Sequence, residues 1–178
     1  MFDIVSNKVF PFIKELKSER EDSTYQHHMN VKGTGRRAST NEDEFFTSLS
    51  QCSPEAAEVA RRILDWALEK GLAIKWQGSS FVPVVEHGGP FTHNPITVVG
   101  SSKIPRVTIK FGRMRNRQKL SEKQRLELLR LLNEIPGVNL AKKAIERFPS
   151  IPLSTLTEEG SLEKFLIAIE WSNDQVRK

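Results

Sequence analysis

The sequence predicts an α+β domain. Its expected form is a four-stranded antiparallel meander with helices packed on one face, in the order α-β-β-β-β-α-α-α, behind an N-terminal helical appendage. Three observations predict it. At Leu72 the apolar spacing changes from the 3.6-residue period of a helix to the two-residue period of a strand. Short turns at Gly78-Ser79-Ser80, His87-Gly88-Gly89-Pro90 and Gly100-Ser101-Ser102 then separate four short apolar runs. Behind Ser121 the helical period returns.

The 178 residues divide by composition into a helical appendage (1–29), a linker (30–42) and the α+β domain (43–178). In the appendage, Phe2, Val5, Val9, Phe10, Phe12, Ile13 and Leu16 supply apolar contacts, and Pro11 kinks or restarts the helix. The linker, VKGTGRRASTN, is small, polar and basic, with two glycines. Glu44-Phe45-Phe46 and Leu49 suggest a short helix. Ser53-Pro54-Glu55 opens the next one with a hydroxyl cap, a first-turn proline and an acid, and Gly71 ends it. Ala56, Val59, Ala60, Ile63, Trp66 and Ala67 recur at helical spacing and form its core stripe.

The strands follow as Leu72–Trp76, Phe81–Val85, Ile96–Val99 and Arg106–Phe111, and Pro83 places the second at an edge or a bulge. Ser121 to Gln124 is a capping box, with Leu126, Leu129 and Leu132 inward behind it and Pro136-Gly137 as the stop. Ala141–Arg147 is a short helix, Ile151-Pro152-Leu153 an extended anchor, and Ser161 opens a last helix with Leu162, Phe165, Leu166 and Ile169 inward.

About the first 29 residues carry a likeness. FDIVSNKVFPFIKEL followed by TYQHHM resembles part of the N-terminal helical domain of type I restriction–modification methylase subunits, on Val9 to Lys14 and on Tyr25, His28 and Met29. The family's catalytic parts do not follow. There is no Asn-Pro-Pro-Phe/Tyr motif, since Asn94-Pro95 continues with Ile96, and no glycine-rich strand–turn for S-adenosylmethionine. The segment is a methylase-like remnant on this reading, which implies a restriction–modification or genome-defence setting without the methyl transfer. Residues 43–178 are similar to an uncharacterised bacterial α+β domain family in the order ILDWALEKGL, SFVPV, a basic loop, LNEIPGV and PSIPLSTL. That likeness brings no activity.

Composition narrows the function classes. Charged residues at 28% and a mean hydropathy of −0.43 predict a solvated surface, and no apolar run approaches the ~18 residues of a membrane span. The N-terminus lacks a basic region and a continuous apolar core, so no secretory signal is expected. A single cysteine, Cys52, fits a reducing, cytoplasmic location. No cofactor or metal is called for. Glu86, His87 and His93 offer three ligands, a carboxylate and two imidazoles, around a Gly-Gly turn but no fourth at a recognised spacing. A restriction-type nuclease needs strand-borne carboxylates, which these strands lack, and no Gly-x-Ser-x-Gly is present.

What remains is charge. From Lys103 to Arg125 there are nine Lys/Arg and one acid, a local +8 in a chain of net +5. Arg113, Arg115 and Arg117 alternate, with Lys119 continuing the row, so an extended loop would aim them one way at ~6.5–7 Å spacing, near the phosphate repeat of a nucleic-acid strand. The candidate nucleic-acid-binding residues are Lys103, Arg106, Lys110, Arg113, Arg115, Arg117 and Lys119. The competing reading is a solvated loop that guards an open strand edge. Trp76 and Phe81 flank a turn as either core residues or base-stacking rings. The expected function is a non-catalytic nucleic-acid-associated accessory module, with DNA ahead of RNA as partner. An acidic protein surface is the other partner the basic residues would suit. The alternative function is a protein-interaction module that forms a homodimer or docks on a larger subunit through its sheet face or N-terminal helix.

Overall fold

The computed structural model describes residues 42–86, 92–100, 103–116 and 120–177. The expected appendage and linker up to residue 41, and the His87–Pro90 and Ser101-Ser102 turns, lie outside the described residues, and Glu42, expected in the linker, opens the first helix. Two helices come first, α1 (Glu42–Cys52) and α2 (Pro54–Glu69). Ser53 caps α2 by accepting from the Ala56 backbone N–H at 3.3 Å. Beyond its end, Gly71 takes φ +67°, a left-handed conformation that a side chain would strain.

The sheet has five strands in sequence order, all antiparallel: β1 (Ala73–Trp76), β2 (Ser80–Val84), β3 (Ile96–Val99), β4 (Arg106–Ile109) and β5 (Ser150–Pro152). The four expected strands are therefore joined by a fifth, on the segment read as an extended anchor. Ile151 pairs with Val107 and enters the core, and Pro152 sits opposite Arg106. Proline is tolerated there because β5 is an outer strand with one unpaired side.

β2, by contrast, is interior, and Pro83 marks a local slip in its pairing. Phe81 pairs with Val98 and Val85 bridges His93, so three residues on β2 face four on the β3 side. The proline falls where the ladder to β3 is interrupted, and no donor is missed.

After β4 come α3 (Phe111–Asn116), α4 (Glu122–Leu132), 3-10 turns at Lys142–Glu146 and Leu153–Thr157, and α5 (Ser161–Arg177). Among the described residues, one core cluster takes in apolar residues of the five helices and one face of the sheet, including Trp66, Phe81, Val98, Val107, Phe111, Leu132 and Phe165. Val82 and Val84 face the other way and are buried too, outside that cluster. On α4, Leu129 and Leu132 are buried as expected, together with Arg125 and Leu128, while Leu126 is half-buried against the core. No described helix is long and apolar enough to cross a membrane.

Candidate functional site

Alternation along β4 sorts its side chains by face. Val107 and Ile109 are buried in the core, while Arg106 and Thr108 are half-buried on the opposite face. Lys110 extends that outward row, its backbone N–H donating to the Pro95 carbonyl at 2.8 Å. Thr108 lies between Thr97 and Ser150 in register, with Oγ1 2.9 Å from Ser150 Oγ. The outward row of β4 thus reads Arg106, Thr108, Lys110, and the exposed Lys103 stands in the turn that leads into it.

The next segment corrects the expected extended loop. The Lys110 carbonyl accepts from the backbone N–H groups of Arg113 (2.9 Å) and Met114 (3.1 Å), and the chain turns at once into α3. Phe111 and Met114, three apart, are both fully buried and pull the segment into a helical turn. Residues two apart on a helix face about 200° away from each other, so Arg113 and Arg115 cannot form a row. Arg115 pairs with Glu146, and its Nε donates to Asn116 Oδ1 at 3.0 Å. Arg113 stays exposed beside Lys110. Arg117 and Lys119 lie outside the described residues.

The edge-guarding alternative also changes. β5 covers the outer side of β4, so the basic residues do not border an open edge at that strand.

Among the described residues, Lys103, Arg106, Lys110 and Arg113 form no ion pair, whereas Arg61, Arg62, Lys70, Arg115, Arg125, Arg130 and Arg177 do. Burial, and secondarily the Arg113 charge, lower the Lys110 pKa to about 8. Behind α3, Glu146 is shared by Arg115 and Arg125. The Arg125 side chain is only 6% exposed, and its Nη1 donates to the Leu120 carbonyl at 2.5 Å. Its Nη2 donates to Glu146 Oε1 at 3.3 Å, which ties the start of α4 to the 3-10 turn at Lys142–Glu146.

One element of this surface has no counterpart in the sequence reading. Phe148 is 55% exposed, and a Cβ placed on Gly112 would lie 2.9 Å from its Cζ and 3.0 Å from its Cε2. The ring therefore rests on the bare glycine at the start of α3. The signal available was an aromatic between a cation and a proline, Arg147-Phe148-Pro149. The rings the sequence did single out are packed inward. Phe81 is fully buried, 5.5 Å from Phe45 and 5.3 Å from Trp76 between centroids.

The remaining chemistry is sparse. His93 is fully buried with Nε2 3.3 Å from Ser172 Oγ, Glu86 is exposed, and His87 lies outside the described residues. Among the described residues no three His, Cys, Asp or Glu side chains gather as a metal site would require. Cys52 is exposed. An open depression of about 650 Å³ on α1 and α2 is lined by Asp43, Phe46, Thr47, Ser50, Gln51 and Arg61. Comparison of the chain with family models, with curated proteins and with solved structures finds no match.

Proposed function

We propose that the chain is a non-catalytic nucleic-acid-associated accessory module that holds phosphates on the outward face of β4. Arg106, Lys110 and Arg113 make the contacts on this reading, and Lys103 adds charge at the approach. The observation that carries it is that, among the described residues, Arg106 and Arg113 form no ion pair while six of the seven other arginines do. Four residues of strand separate Arg106 from Lys110, ~13 Å, which is about two phosphate steps of an extended strand. Desolvation of Lys110 supports the same reading, since the negative charge of a phosphate would offset the cost of burying its ammonium and its repulsion by Arg113. The likeness of residues 1–29 to methylase subunits favours DNA over RNA and a restriction–modification setting.

The test is affinity against salt. Each phosphate neutralised on duplex DNA contributes about −0.9 to the slope of log K on log salt, so three or four contacts give about −3 to −4. The triple change Arg106→Ala, Lys110→Ala, Arg113→Ala should flatten that slope by about 3. No binding at ~50 mM salt with micromolar protein would overturn the proposal, because even non-specific affinity should register there. Retention of an acidic protein partner by the same surface, without nucleic acid, would favour the docking alternative.

A further inference from the structure

We infer that Phe148 is a stacking platform for an unpaired base, and that the nucleic acid taken by this surface is single-stranded. The inference rests on the phosphate-binding reading above and adds the class of strand to it. A single exposed apolar residue is ordinarily unremarkable on a protein surface. Phe148 differs from the exposed Leu68, Ile104 and Ile167 in being an aromatic ring with a built seat.

The seat has three parts. Backbone hydrogen bonds on either side fix the residue: Gly112 N–H donates to the Arg147 carbonyl at 3.0 Å, and Ile109 N–H donates to the Pro149 carbonyl at 2.8 Å. Pro149 restricts the preceding residue to extended backbone, which limits the directions the ring can take. Gly112, lacking a Cβ, lets the ring approach the start of α3, where any larger residue would meet Cζ and Cε2. About half of the residue remains open to solvent.

Its position completes the argument. Continuing the alternation of β5, in which Ile151 points to the core, puts Phe148 with Ser150 and Pro152 on the face that carries Arg106, Thr108 and Lys110. The two hydrogen bonds flank Lys110 and set the ring at the Lys110–Arg113 end of the cationic row, next to the exposed Arg147. A row of phosphate-binding cations ending at a ring is the arrangement that sequence-tolerant single-strand binders use. Duplex bases are stacked inside and cannot reach a platform of this kind without being unpaired.

The test uses the full chain with Phe148→Ala, Phe148→Leu and Phe148→Trp, on a fluorescein-labelled oligothymidylate of about 20 nucleotides and on a duplex of equal length. Loss of one base stack should weaken single-strand binding by roughly 5- to 150-fold in the Ala and Leu variants, and Trp should bind as tightly as Phe or tighter. The salt slope of the Ala variant should stay unchanged, because no counterion is displaced by a phenyl ring. Duplex affinity should move less than about twofold in all three.

Unchanged single-strand affinity in the Ala and Leu variants overturns the stacking role while the phosphate reading stands. An equal loss on duplex overturns the choice of strand and identifies the ring as a wedge between base steps. If the unaltered chain binds neither probe, the phosphate reading fails first and this inference with it.

Discussion

Lys110 shows how a charge can oppose folding and still be kept. Its pKa in the folded chain is about 8, below the ordinary 10.5, because burial and then Arg113 disfavour the ammonium. Between those values the unfolded chain binds more protons than the folded one, so stability rises with pH through the window from about 8 to 10.5. Lys110→Met should raise the melting temperature at pH 7 and remove that rise, which thermal melts across pH 7 to 11 would detect. A melting curve for the variant that still climbs would place the titrating group elsewhere. Trp66 is the opposite case, a core aromatic only 8% exposed. Trp66→Ala should destabilise by roughly 3–5 kcal/mol in urea unfolding, since the cavity cannot close around so large a deletion.

Among the elements, α4 has the best-defined start. Ser121 Oγ accepts from the Gln124 N–H at 3.2 Å while Gln124 Oε1 accepts from the Ser121 N–H at 2.9 Å. Ser121→Ala should cost about 0.5–2 kcal/mol, measurable as a shifted urea midpoint with unchanged slope. Elements of this sort were legible because their signals are local: Ser53-Pro54, Gly71, and the capping box each lie within a few residues of what they control.

The misread elements depend on partners far along the chain. β5 is three residues long, too short for alternation to register, and its partner strand is more than forty residues upstream. In α3 the odd-numbered arginines suggested a strand period, but the buried pair Phe111 and Met114 decided the conformation. The candidate surface was half legible for the same reason. Its cations could be counted, but the sorting of Arg106, Lys110 and Arg113 from Arg115 required Glu146, and the seat of Phe148 required Gly112.

At the scale of the molecule, the core cluster among the described residues runs from Phe45 to Ile169 and joins all the described helices to the sheet. A chain beginning at Glu42 should fold cooperatively and melt within a few degrees of the full chain, as a calorimetric scan would record. An insoluble or molten product would move the domain boundary toward the N-terminus. The charge distribution acts at this scale as well. The excess of +8 between Lys103 and Arg125 sits in a chain of net +5, so the remainder is acidic overall. Such an asymmetry orients a polyanion during approach and speeds association most at low ionic strength.

The late fifth strand has a consequence for synthesis. A ribosome makes β4 well before β5, since Arg106 must wait for Pro152 to pair. At roughly 5–20 residues per second that delay is on the order of 2–10 s. From the emergence of β4 until that of β5, the nascent chain presents a strand rim with unpaired backbone groups. The cations of β4 are already in place during that interval, and their mutual repulsion between neighbouring nascent chains on a polysome opposes rim-to-rim association until the last strand docks.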